Sequence, residues 1–465
     1  MTRYLLAFSA VLFTACSNNT NTTESATTVT TSATNQTPIA DYHAPIDSVV
    51  RVQLPSDTSQ SYAMYIPHTS DSAGIPRTII VFADPHGAGW LPVEKYRKLA
   101  DRFGIALAGS NNSRNGLDGA QCAGYIGNII ADLHTRLHYD EGNICLAGFS
   151  GGAKVILQEA FNNSNINNVI YAGATIPLQT SHPIDLLGFA GTSDMNYSDL
   201  LTFANTVPAG SGTLVEFDGK HEWPDTKVYQ KAFYWLTFRQ VKDTASAKVK
   251  ISIKAYETEI ATEAASAIRG NNAVEAYQKY EEAAAFLNGV AAITTYQQKA
   301  AELAATDLYK KEAAQKSDML KSETNQKQIL MQAFQNQDIP WWRNTISHLR
   351  TSAYPTDKRL LGFISLGCYS YTSQCIARGA VANADHFATI YELADPDNTD
   401  QLYFHAVIAA RQNDNVKALK YLQKAADKGF TDWGKADAEP ALATVRGQGS
   451  FSRLQTQPSS GKGSR

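Results

Sequence analysis

Between about residues 45 and 240, short apolar runs alternate with amphipathic stretches, and this alternation constrains the chain more than any other feature. The apolar runs are Val49–Leu54, Tyr62–Pro67, Thr78–Ala83, Ile105–Gly109, Asn143–Phe149, Val169–Gly173, Leu186–Gly191 and Thr213–Phe217. Each has the length of a buried strand. The stretches Pro92–Phe103, Ala120–Leu137, Gly152–Asn162, Asp199–Asn205 and Lys227–Arg239 carry helical periodicity instead. A strand apolar on both faces must be covered on both, so the alternation predicts an α/β domain of three layers around a mostly parallel sheet. The first two runs, joined by Pro55–Ser59, read as an antiparallel lead-in hairpin.

Past about residue 243 the texture changes. Gly and β-branched runs give way to Ala, Glu, Lys, Gln and Tyr at helical spacing, which predicts a separate all-α domain. Two stretches in it share one spacing. Ala264, Ala267, Ala276, Tyr280 and Ala283 match Ala406, Ala409, Ala418, Leu422 and Ala425. Small residues at those offsets let two antiparallel helices pack closely. In the second copy Asn413-Asp414-Asn415 reads as the inter-helix turn and Gly429 as the close of the second helix. The pattern resembles tetratricopeptide repeats, which implies a protein partner for this domain. The usual Trp and Pro positions are not filled, and no period of about 34 residues runs through 290–395, so one or two such repeats are expected rather than a regular solenoid.

The N-terminus reads as an address. Arg3 gives a positive start, and Tyr4–Ala15 is apolar but too short to span a bilayer, as in a secretory signal peptide. Phe13-Thr14-Ala15-Cys16 resembles a bacterial lipobox, with Phe13 where Leu is usual. That resemblance implies a lipidated Cys16 and attachment to a membrane of the cell envelope, outside the cytoplasm; two or three acyl chains give stable anchoring. The organisation expected is a signal peptide over 1–15, a flexible Ser/Thr/Asn tether over 16–37, an α/β domain over 38–243, a helical domain over 244–452 and a disordered tail over 453–465.

Composition removes several classes. With 41 basic and 44 acidic residues the formal charge is -3, which does not suit a nucleic-acid-binding face. Five cysteines in 465 residues exclude a disulfide scaffold. No internal apolar run reaches the roughly 20 residues of a transmembrane helix.

The chemistry sits in Gly148-Phe149-Ser150-Gly151-Gly152, a G-x-S-x-G sequence that follows an apolar run and precedes a helical one. That strand–turn–helix context is what a nucleophile elbow requires: small residues flank the serine because the turn is tight. With these residues the segment 45–240 resembles compact serine esterases of the α/β-hydrolase superfamily, of the polyhydroxybutyrate-depolymerase, feruloyl-esterase and dienelactone-hydrolase kind. The resemblance implies the order nucleophile, acid, histidine, and so Ser150, then Asp194 after the run Leu186–Gly191, then His221 after Thr213–Phe217. It also implies an oxyanion hole of backbone N–H groups, one from Gly151 and one from Gly87 or Ala88, in Asp84-Pro85-His86-Gly87-Ala88-Gly89.

Other readings are open at this level. Asp199, Asp218 and Asp225 are rival acids, and His182 precedes Asp194 and reads as a rim residue. His86 with Asp84 lacks a third ligand at metal spacing, so neither a metal nor a cofactor is expected. Cys145 reads as a buried small hydrophobe, and Trp341-Trp342 as helix packing. Ser110–Gly116 reads either as a substrate-binding rim or as a solvated loop. The function expected is a membrane-tethered, extracytoplasmic serine hydrolase cleaving carboxylic esters, with amides not distinguished. The alternative is an inactive hydrolase-fold scaffold whose helical domain binds a protein.

Overall fold

The computed structural model describes residues 45–68, 78–137, 139, 141–240 and 246–456. The predicted signal peptide, Cys16 and the tether lie outside them. Eight strands form one sheet: β1 (Val50–Gln53), β2 (Ser61–Tyr65), β3 (Ile79–Ala83), β4 (Ala106–Ser110), β5 (Ile144–Phe149), β6 (Asn168–Ala172), β7 (Asp185–Gly191) and β8 (Gly212–Phe217). Their order is β1-β2-β4-β3-β5-β6-β7-β8. The β1–β2 hairpin is antiparallel, β2 pairs antiparallel with β4, and from β4 to β8 every pairing is parallel. Five helices connect the strands: α1 (Trp90–Phe103), α2 (Gly119–Leu137), α3 (Gly151–Asn162), α4 (Tyr197–Ala204) and α5 (Thr226–Arg239). This is the α/β-hydrolase fold. The central strands are buried along their whole length, as continuous apolar runs such as Ile79–Ala83 require.

The compact unit does not end at the expected break near 243. It continues to Met319 and takes in α6 (Ala247–Arg269), α7 (Ala273–Leu287), α8 (Thr294–Ala305) and the start of α9 (Asp307–Asn336). The cause is α5, which is apolar almost all round: Tyr229, Ala232, Phe233, Tyr234, Trp235, Leu236 and Phe238 are all buried. Part of this surface packs in the sheet core, and Tyr256 of α6 covers more of it, with ring centroids 5.3 Å from Tyr234 and 5.6 Å from Phe238. Phe286 of α7 stacks on Tyr256 in turn, at 5.3 Å. Tyr256, Ile260, Ala283, Phe286 and Leu287 belong to the same core as the sheet residues. A buried ion pair sits in this layer: Lys231 of α5 donates to Glu282 of α7 at 2.8 Å and to Glu263 of α6 at 2.8 Å.

The second unit, from Leu320 on, is helical: the rest of α9, then α10 (Ile339–Thr351), α11 (Pro355–Ala377), α12 (Val381–Ala394), α13 (Thr399–Arg411), α14 (Asn415–Asp427) and short helices up to Thr456. Trp342 is buried against Phe334, as packing predicts. The α6–α7 and α13–α14 hairpins are built alike. Each turns on an Asn of positive φ, Asn271 (53°) or Asn413 (64°), and each second helix is N-capped by the following residue, Asn272 or Asp414. All ten residues of the shared spacing are buried. The expected start of a tail at 453 falls inside a helix spanning Gly449–Thr456, on which Phe451 and Leu454 are buried. Among the described residues no helix is long and apolar enough to cross a membrane.

Candidate active site

The carboxyl end of β5 runs into Ser150, which has φ 52° and ψ -122°. A non-glycine residue pays strain to adopt a positive φ. The turn it makes admits almost nothing else. A Cβ on Gly148 would lie 2.5 Å from Gly152 O, and one on Gly152 would lie 2.0 Å from Ala83 O. Both glycines are therefore what allows β5, β3 and α3 to approach closely enough to form the elbow.

Ser150 Oγ lies 2.9 Å from His221 Nε2, and His221 Nδ1 lies 3.0 Å from each oxygen of Asp194. A carboxylate only accepts, so Nδ1 carries the proton and Nε2 is left to accept from the serine hydroxyl. Asp194 is 1% exposed and also accepts the Asn196 N–H at 2.8 Å. The loops after β7 and β8 are tied to each other: Thr192 N–H donates to Phe217 O and Ser193 N–H to Gly219 O, both at 2.9 Å. The imidazole rests against Phe149, with centroids 4.7 Å apart.

The rival acids are not its partners. Asp225 caps α5 through the Val228 N–H, Asp218 is exposed, and Asp199 lies in the first turn of α4. His182 reaches the Ala160 carbonyl instead. Cys145, in the strand behind the elbow, is fully buried, and burial pushes its thiol well above the ordinary range, so it stays neutral.

Of the backbone donors expected for an oxyanion, Gly151 follows Ser150 directly and opens α3, and Gly87 and Ala88 lie in the loop between β3 and α1. The Gly87 N–H closes a turn onto Asp84 O at 3.2 Å, at φ 69°. The loop Ser110–Gly116 does lie at this edge. Arg114 bridges to His86, Asn115 N–H donates to Pro85 O at 2.8 Å, and a Cβ on Gly151 would come within 1.8 Å of Asn115 Oδ1.

One bond was not legible beforehand. Asp84, 2% exposed, accepts Trp223 Nε1–H at 2.8 Å and the His86 N–H at 2.9 Å. Lys95 and Tyr96 of α1 hold the Trp223 and Pro224 carbonyls at 2.8 and 2.7 Å. Asp84 is thus a brace between the loop that follows β3 and the loop that carries His221. Among the described residues no group of three His, Cys, Asp or Glu side chains is arranged to hold a metal ion.

No protein-family model and no curated protein matches the chain. Similar solved structures include an esterase of Pyrobaculum calidifontis, at 13% identity over 45% of this chain and 85% of that one, with a TM-score of 0.31. EstE1, a thermostable carboxylesterase cloned from a metagenomic library, matches at 13% identity over 43% and 90%, with a TM-score of 0.33. An esterase of Thermogutta terrifontis with propionate bound matches at 17% identity over 40% and 90%, with a TM-score of 0.31. At these values the likeness adds nothing to what the sheet order and the site geometry establish by themselves.

Proposed function

We propose that this protein is a serine hydrolase that cleaves carboxylic esters through an acyl-enzyme on Ser150. The observation that carries this reading is the unbroken relay from Ser150 Oγ through His221 to the buried Asp194. In it, Ser150 attacks the ester carbonyl while His221 Nε2 takes its proton. The oxyanion that forms is held by the Gly151 and Ala88 amides. Collapse of the tetrahedral intermediate expels the alkoxide, which takes the proton back from His221. Water then repeats the sequence on the acyl group and frees Ser150. Asp194 holds the imidazole in the tautomer this needs and stabilises the imidazolium.

The chain between β6 and β7 is loop throughout, with no helix inserted as a cap. That suits accessible substrates: short acyl esters, acylated carbohydrates or polyesters. From the sequence alone we also read the enzyme as tethered outside the cytoplasm through a lipid on Cys16, with a protein partner for its C-terminal helices. Metabolic labelling with a clickable fatty acid, against Cys16→Ser, tests the anchor. For the activity, a fluorophosphonate probe should label the wild type and fail on Ser150→Ala. An unlabelled wild type points to the inactive scaffold instead.

A further inference from the structure

The loops carrying Asp194 and His221 leave the sheet beyond β7 and β8, and one carboxylate beneath them gathers four elements. Glu216, the residue before the last of β8, accepts from the Tyr197 hydroxyl at the head of α4 and from the Gln278 carboxamide on α7. It also accepts from Lys316 Nζ on α9, at 2.6 and 2.8 Å to its two oxygens. The pair is shielded, with side-chain exposures of 14% for Glu216 and 22% for Lys316, and the ammonium lies 5.9 Å from the centre of the Tyr197 ring.

Both triad loops are within one or two bonds of this carboxylate. Tyr197 N–H donates to the Asp194 carbonyl at 2.9 Å. Phe217, the neighbour of Glu216, holds Thr192 N–H through its carbonyl, two residues before Asp194. The histidine loop starts where β8 ends, at Phe217. A displacement of Glu216 therefore reaches the acid through α4 and the base through β8.

We propose that Glu216 and Lys316 are positioning residues that hold the Asp194 and His221 loops in register, so that α7 and α9 form part of the catalytic scaffold. This rests on the reading of Ser150, His221 and Asp194 given above. Lys316 touches no reacting group; it acts by neutralising a partly buried carboxylate that would otherwise draw toward water and carry α4 and β8 with it. A small misplacement of catalytic groups lowers turnover much more than ground-state binding.

The test uses the full chain with a short-chain p-nitrophenyl ester and compares Lys316→Met, Lys316→Arg, Glu216→Gln and the Glu216→Gln/Lys316→Met pair. The expected result is a kcat about tenfold lower in Lys316→Met with KM within about twofold. Lys316→Arg should recover most of the loss. In the Glu216→Gln background Lys316→Met should cost little more, because the two act through one contact. A readout that needs no substrate is the low-field proton NMR line of His221 Nδ1–H, which should move or broaden in Lys316→Met. A folded Lys316→Met with wild-type kcat and an unchanged line overturns the proposal, as does an equal loss in Lys316→Arg. Should Lys316→Met not fold, Glu216→Gln, which keeps the shape and one acceptor oxygen but removes the charge, decides on the same criteria. A wild type that neither labels at Ser150 nor turns over counts against the reading of the triad, while the NMR line still tests the clamp.

Discussion

Trp223 Nε1 donates to Asp84 Oδ2 at 2.8 Å, joining the loop that follows β3 to the loop that carries His221. The two residues are 139 positions apart in sequence and both are buried. Trp223→Phe keeps a ring among Phe82 and Phe149, each 5.6 Å from the indole, but strips the donor from a buried carboxylate. Unfolding in denaturant should show a loss of about 1–3 kcal/mol. Turnover should fall about tenfold as the base and the oxyanion hole lose their common brace. Unchanged stability and turnover would mean the bond holds nothing in place.

Gly173 is required by the imidazole. It has φ 70°, and a Cβ there would lie 2.5 Å from a Phe149 ring carbon and 3.2 Å from His221 Cε1. Gly173→Ala should lower kcat at least about tenfold by pushing His221 off Ser150. Gly104, which closes α1 at φ 67° with open space around it, is the control. Gly104→Ala should cost about 1 kcal/mol in stability and leave kcat unchanged.

The buried Lys231 is expected to be the most sensitive position outside the site. Lys231→Met takes from Glu282, 4% exposed, the ammonium 2.8 Å away and leaves it Lys279 at 3.8 Å, at a cost of up to about 3–5 kcal/mol. The double change Lys231→Met/Glu282→Leu should restore much of it. Burial alone would raise Glu263, but Lys231 and Lys279 outweigh it and hold that carboxyl below the ordinary range. A lowered folded-state value contributes stability above the ordinary carboxylate range and loses it as the pH falls through the lowered value. The stability gap between wild type and Lys231→Met should therefore narrow on acidification, which thermal melts across pH would show.

A chain ended at residue 243 should not fold well, since it uncovers the face of α5 that meets Tyr256 and leaves Lys231 without Glu263 and Glu282. A chain ended at 319 keeps these partners and Lys316, and should be soluble and within a few-fold of full activity. Esterase assays on the two purified proteins decide this. A stable, fully active 1–243 chain would show α6 to α9 to be dispensable.

These outcomes follow what was and was not readable from sequence. The strands and helices of 45–240 were legible because their signals are local: runs such as Ile79–Ala83 are apolar on both faces, and the elbow needs small residues at Gly148 and Gly152. Asp194 and His221 were expected only through the resemblance, whose order of nucleophile, acid and histidine points to loops after late strands. The Asp84–Trp223 brace was not legible, because no spacing rule links residues so far apart. The extent of the first unit was missed for another reason. The Ala-rich α6–α7 hairpin reads like the α13–α14 hairpin, and only tertiary contact separates their roles. One signal was available: Ala232–Leu236 and Phe238 are apolar on almost every side of the helix, which a helix with one solvent face does not need.

The central claim is that Ser150 carries the acyl group. Rapid quench of the protein with a p-nitrophenyl ester, followed by mass analysis of its peptides, tests this most directly. The prediction is a burst of p-nitrophenol matched by an acyl adduct on the peptide containing Ser150, with adduct and turnover both lost in Ser150→Ala. Turnover that persists in Ser150→Ala, or an acyl group found on another residue, would contradict it.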